Sequence, residues 1–165
     1  MTLAYVSGGS NLDPELNLPA AARELKAAFP GARFSRVYRN GAIGFEGPDF
    51  LNFVVELPVE GPPGALKAEL ERIEGLCGRP RYALKWAPRT MDLDILLFGE
   101  AVIEVPGLVV PRPQLLHWAF MLGPLAELAP GAPHPVARRS IGELWHDFDQ
   151  GAHPLVPEPM DLNAG

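Results

Sequence analysis

Hydrophobic and polar positions along this chain follow two periods, and the switches between them mark its elements. Residues 3–6 are a short apolar run that reads as a buried strand. Ser7-Gly8-Gly9-Ser10-Asn11 then reads as a turn that lets backbone approach something closely. Leu18, Ala22, Leu25 and Phe29 recur at the spacing of one helix face. Asn17 suits the N-cap with Pro19 in the first turn, and Pro30-Gly31 stops the helix. Residues 32–39 alternate as a second strand. Residues 40–49, with three Gly and a Pro, read as a loop.

In 50–57, Leu51, Phe53, Val55 and Leu57 share one strand face, and Phe50, Asn52, Val54 and Glu56 share the other. Residues 58–64 form a turn. Leu66, Leu70, Ile73 and Cys77 mark a second helix, closed by Gly78. In 91–98, Met91, Leu93, Ile95 and Leu97 point one way and Asp92 and Asp94 the other. Glu100-Ala101 turns a hairpin into 102–103, and 108–110 is extended. Helical patterns follow at 115–120, from Pro124 through Leu128, and after Ser140-Ile-Gly-Glu143, a capping box. The order strand, helix, strand, strand, helix, strand predicts an α+β, ferredoxin-like β-α-β-β-α-β antiparallel sheet. Both helices lie on one face, and short C-terminal helices are appended. Residues 1–149 form a single domain. Residues 150–165 are Pro-rich and aperiodic, and are expected to be loosely held.

Composition narrows the class. Hydrophobic residues make up 47%, enough for a sizeable core, and the net charge of −6 argues against nucleic acid as a partner. The cations gather instead between 79 and 89, which suits a small polyanion. One cysteine excludes an internal disulfide and fits the cytoplasm. No apolar run reaches the ~18 residues of a membrane span, and no signal peptide is visible. No obligate protein partner is expected.

Asp92 and Asp94 at i and i+2 stand roughly 6.6 Å apart along a strand, a spacing a divalent cation bridges. A lone pair of this kind is usually a solvated face. The run Ile95-Leu-Leu-Phe98 instead suggests a central strand, where unpaired carboxylates are costly. If the apolar sets face the helices, then Asn52, Phe50, Asp92 and Asp94 emerge together on the opposite, free face. An amide, two carboxylates and a ring there describe a site for a flat polar heterocycle near a metal.

Trp86-Ala-Pro-Arg-Thr-Met-Asp-Leu-Asp-Ile-Leu-Leu-Phe-Gly99 closely resembles the signature of the 6-hydroxymethyl-7,8-dihydropterin pyrophosphokinase family. Gly9-Ser10-Asn11-Leu12, Phe50-Leu51-Asn52, Arg72-Ile73-Glu74 and Phe120-Met121-Leu122 extend the likeness. The resemblance implies transfer of the β,γ-pyrophosphoryl group of ATP to a pterin hydroxymethyl oxygen in folate biosynthesis. It implies two Mg2+ ions on Asp92 and Asp94, with Arg79 and Arg89 as catalytic cations. Arg81 and Lys85 would touch phosphate, and Trp86 would sit on a segment, 79–89, that closes over the substrates. Glu71, Glu74, Ile95 and Arg112 fall at further ATP positions. Asn40, Gly41, Ala42, Ile43, Phe50, Asn52 and Phe120 fall at the pterin positions, the ring stacking between Phe50 and Phe120.

The chain also departs from the family pattern. Asn40-Gly-Ala-Ile-Gly44 replaces a proline-stiffened pterin loop. Arg112 stands where a His is common, and Trp118 where an Arg is. Two other readings stay open: a non-catalytic pterin or nucleotide binder, and a two-metal phosphohydrolase built on the same acids.

Overall fold

The structure is a computed structural model, and it describes residues 1–41, 47–77 and 91–164. In chain order the elements are β1 (Thr2–Ser10), α1 (Pro14–Ala28), β2 (Arg33–Phe34), β3 (Val37–Asn40), β4 (Phe50–Val59), α2 (Pro63–Leu76) and β5 (Asp92–Phe98). A hairpin of β6 (Ile103–Val105) and β7 (Leu108–Val110) leads through a 3₁₀ turn (Pro113–Leu116) to α3 (Ala119–Leu128). Then come β8 (Pro133–His134), β9 (Arg139–Ser140), α4 (Ile141–Asp147) and β10 (Val156–Glu158). The main sheet runs β10-β3-β4-β1-β5, with β2 also on β4, and every pairing in it is antiparallel. This is the expected ferredoxin-like core with appended helices.

Two cores sandwich the sheet. Val6, Phe53, Val55, Leu93 and Ile95 pack against Leu18, Leu25, Leu66 and Ile73 of α1 and α2. On the other face, Tyr5, Val54, Leu96 and Leu97 pack against Leu115, Met121, Leu122, Leu125 and Ile141. That face, expected to be free, is instead covered over part of its area by α3 and α4. Each such fully buried Leu is worth about 2 kcal/mol.

Several elements differ from the sequence reading. Gly8 and Gly9 continue β1 rather than turn it, because the Phe53 ring and the Asn52 amide fill the spaces where β-carbons would sit. Helix α1 starts at Pro14 and holds Pro19 inside. Asp13 takes the cap position with positive φ, and Asn17 instead donates to Leu12 O. Helix α2 likewise starts earlier, at Pro63. The second strand breaks at Ser35, whose backbone N–H donates to Val54 O while its hydroxyl accepts from Val54 N–H. Strand β4 runs on to Val59 through Pro58. Its other-side partner β2 reaches only Glu56, so a missing N–H there costs little.

Leu97 lies on the opposite face from Ile95, because a bulge opposite Tyr5 and Val6 inserts one extra residue, Leu96. The hairpin turns at Pro106-Gly107, with Gly107 at φ 81°, and not at Glu100-Ala101. Pro124 lies within α3 and does not open a helix. The Ser140–Glu143 capping box forms as expected.

Residues 150–164 are not a loose tail. Strand β10 pairs with β3, Leu162 is buried in the helix-side core, and the Asn163 amide bonds both backbone groups of Phe34. No helix of the described residues is long and apolar enough to cross a membrane.

Candidate active site

Register places the acids. Gly9 of β1 lies opposite Asn52 on one side and Asp92 on the other, and Tyr38 lies opposite Asn52. Tyr38, Asn52, Gly9 and Asp92 thus form one row across four strands. Val54, Ser7 and Asp94 form the next row. Two strand spacings separate Asn52 from Asp92, about 10 Å, and the Asn52 amide oxygen leans over Gly9 into the space a β-carbon there would need. Both aspartates are half-buried.

Asn52 is 4% exposed, and its amide donates to Asn40 Oδ1, while Asn40 Nδ2 donates to Gly41 O at 3.0 Å. Half-buried Phe50 lies opposite Asn40. The structure therefore brings Asn40, Gly41, Phe50 and Asn52 together. Asn11 Nδ2 donates to Pro48 O at 3.2 Å, tying the end of β1 to the chain before β4.

Arg112 reaches one of the acids, Asp94. Its Nη1 lies 3.5 Å from Asp94 Oδ1, and its backbone N–H donates to Leu96 O at the bulge. Phe120 does not stand alone: it stacks on Trp118 with ring centroids 5.2 Å apart, at the start of α3. Helix α3 is in turn tied to the sheet by Glu127, which accepts from the Tyr38 hydroxyl and from Arg36 N–H. Burial first, and then that hydrogen bond, push the Tyr38 phenol up to about 12.

Three more of the expected ATP residues have partners within the chain. Glu74 Oε2 accepts from Leu93 N–H at 2.8 Å, joining α2 to the outer edge of β5. Glu71 pairs with Lys67 on an exposed helix face. The Ile95 side chain is in the helix-side core, so only its backbone is on offer to a nucleotide. Ala42, Ile43, Arg79, Arg81, Lys85, Trp86 and Arg89 lie outside the described residues.

Among the described residues no three His, Cys, Asp or Glu side chains gather as a metal cluster. Two carboxylates suit magnesium, which takes one or two of them and fills its octahedron with waters and substrate phosphates. The sequence reading missed the part played by Gly9. The Gly-Gly pair was its signal, since glycine inside a strand marks a close approach.

A family model described as 7,8-dihydro-6-hydroxymethylpterin-pyrophosphokinase matches residues 5–130. A 2-amino-4-hydroxy-6-hydroxymethyldihydropteridine pyrophosphokinase of Synechocystis sp. is 39% identical over 158 residues, covering 93% of this chain and 80% of that protein. The Bacillus subtilis protein of the same name is 39% identical over 130 residues, covering 76% and 77%. In three dimensions the chain resembles a crystal structure of Plasmodium falciparum wild-type HPPK-DHPS with pteroate. The TM-score is 0.66 at 14% identity, over 88% of this chain. This chain spans only 42% of that longer one, and the likeness speaks for the fold alone.

Proposed function

This chain belongs to the 7,8-dihydro-6-hydroxymethylpterin-pyrophosphokinase family, and we propose that Asp92, Asp94 and the Asn52 amide seated over Gly9 form its active site. The chain is an ATP-dependent transferase: it moves pyrophosphate from ATP to 6-hydroxymethyl-7,8-dihydropterin, giving the pterin diphosphate and AMP, a step of folate synthesis. The observation that carries the site is the row Asn52–Gly9–Asp92, in which the glycine leaves room for the Asn52 amide to lean toward the carboxylate. A flat ring set edge-on to that amide bonds it and presents its hydroxymethyl group toward the acids. Phe50 and Phe120 offer the stacking faces, and Asn40 and Gly41 offer polar groups beside Asn52.

Asp92 and Asp94 hold the metal. Bound there, the two Mg2+ ions supply charge neutralisation and orientation of the triphosphate. Arg79 and Arg89 stabilise the charge that develops on the transferring group and on departing AMP, each worth roughly 2–4 kcal/mol of barrier. Arg81, Lys85 and Arg112 add phosphate contacts, and Trp86, Ala42 and Ile43 complete the substrate contacts. Glu74 acts by fixing β5, and Glu71 lies on solvated surface. A cytoplasmic setting fits the single, buried Cys77.

The test is product chromatography of ATP with and without the pterin alcohol, for the native protein and the double variant Asp92→Asn, Asp94→Asn. AMP should appear only with pterin, and the variant should lose it. Phosphate release without pterin would indicate a hydrolase, and binding of pterin without AMP a binding protein. Undiminished output from the variant would remove the acids from the mechanism.

A further inference from the structure

We infer that Arg112 is a placeholder cation: it neutralises Asp94 while the metal is absent, then yields Asp94 to magnesium and turns to the triphosphate. The inference rests on the reading of Asp94 as a metal ligand. The Arg112 guanidinium touches Asp94 Oδ1 through Nη1 at 3.5 Å, at the long end of ion-pair contact. Its Nε is buried and has no hydrogen-bond partner among the described residues. A buried donor left unmade is costly, so this pose is not the best one the side chain has. The backbone beneath it is held, by Pro111 and Pro113 on either side and by the bond from Arg112 N–H to Leu96 O. Only the side chain is available to swing. Both side chains remain about one-third exposed, so neither metal nor phosphate needs a path through the core.

An arginine keeps its charge at any working pH, and its fork matches phosphate oxygens as well as carboxylate. Magnesium alone must therefore displace a cation from Asp94, whereas magnesium arriving with a triphosphate brings the anion that takes that cation away. Metal and nucleotide binding become mutually favourable through one side chain, and by linkage the coupling is reciprocal. Discrimination against metal binding without nucleotide follows directly.

The experiment titrates Mn2+ by electron paramagnetic resonance into the native protein, Arg112→Met, Arg112→Lys and Asp94→Asn. Each is titrated with and without a non-hydrolysable ATP analogue, after thermal melts confirm folding. Without nucleotide, Arg112→Met should bind Mn2+ about two- to five-fold tighter than native, the range expected for a half-exposed ion pair. With saturating Mn2+ it should bind the analogue more weakly, so the coupling shrinks. Arg112→Lys keeps the charge, and its nucleotide-free Mn2+ affinity should stay near native. Equal or weaker nucleotide-free affinity in Arg112→Met overturns the placeholder. Native-like Mn2+ affinity in Asp94→Asn overturns instead the assignment of Asp94 as ligand, so the two failures are distinguishable.

Discussion

The Asn52 amide oxygen occupies the space that a β-carbon on Gly9 would need. A side chain at Gly9 and the present pose of Asn52 are therefore mutually exclusive. Gly9→Ala should push the Asn52 amide from its place over Gly9 and off Asn40. We expect the KM for the pterin to rise about ten-fold, the scale of one lost hydrogen bond, with a smaller change for ATP. Steady-state kinetics in both substrates checks this; equal effects on both would remove Gly9 from the pterin site.

One residue earlier the consequence is different. A β-carbon on Gly8 would meet the ring of Phe53, which is fully buried and has nowhere to move. Gly8→Ala should cost about 1–3 kcal/mol of stability, the range of overpacked cores. Denaturant melts should show the loss, and Phe53→Leu in the same chain should recover part of it.

Stability should fall at both ends of the pH scale. Burial raises the Glu56 carboxyl, but the hydrogen bonds from Arg33 and Tyr5 outweigh it and leave the group below its ordinary 4.5. A carboxyl depressed in the fold stabilises above its unfolded value and loses that as pH falls through the folded value. Burial also lowers His134, whose Nδ1 accepts from Ala137 N–H, so it adds a loss that begins below about 6.5. At the other end, burial and Glu56 push Tyr5 up to about 12, and burial and Glu127 do the same for Tyr38. Groups raised in this way stabilise below 10 and lose it as pH climbs toward 12. Melting temperature against pH should show both limbs, and Glu56→Gln should flatten the lower part of the acid limb.

The acid pair and the order of elements were legible because each rests on a local pattern: alternation across 91–95, and helix-face spacing in 18–29 and 66–77. What was not legible depends on distant partners. Gly8 and Gly9 looked like a turn until Phe53 and Asn52 were seen to need their space. The bulge at Leu96, which reverses the face of Leu97, leaves no mark in an unbroken apolar run. Pro19 and Pro124 read as helix starts because proline is tolerated there most easily, yet tertiary packing holds both inside helices. The Arg112–Asp94 pair joins residues that no spacing rule connects.

The two interior prolines should respond oppositely to removal. Pro19 is half-buried in α1 and deprives Glu15 of its hydrogen-bond donor. Pro19→Ala restores that bond at little packing cost and should raise stability by about 1 kcal/mol. Pro124 is fully enclosed in α3, so Pro124→Ala gains a bond but leaves a void, and should be neutral or destabilising. Chemical denaturation of the two variants decides; a gain at both positions would mean that packing of Pro124 contributes nothing.

The C-terminal strand should matter to the pterin as well as to the fold. Strand β10 covers the outer edge of β3, whose last residue is Asn40, the acceptor for Asn52. Arg39 is held from both sides, Nε to Glu158 Oε1 at 2.6 Å and Nη1 to Asp49 Oδ2 at 3.9 Å, so it ties β3 to β10 and to the residue before β4. Deleting 156–165 removes buried Leu162, the two bonds from Asn163 to Phe34 and the β10 ladder. The loss should reach about 3–5 kcal/mol and expose an unpaired strand edge. A milder change separates the two effects. Glu158→Gln leaves the strand in place but removes the shorter of the two Arg39 ion pairs, and Asn40 follows Arg39 directly in the chain. Its melting temperature should move little, because a half-exposed ion pair is worth under about 1 kcal/mol. Its KM for the pterin should rise while kcat and the KM for ATP hold, because Arg39 touches neither the acids nor Arg112. A truncated protein that melts like the native one would show that 156–164 do not hold the sheet edge. A Glu158→Gln protein with unchanged pterin KM would confine the tail to stability alone.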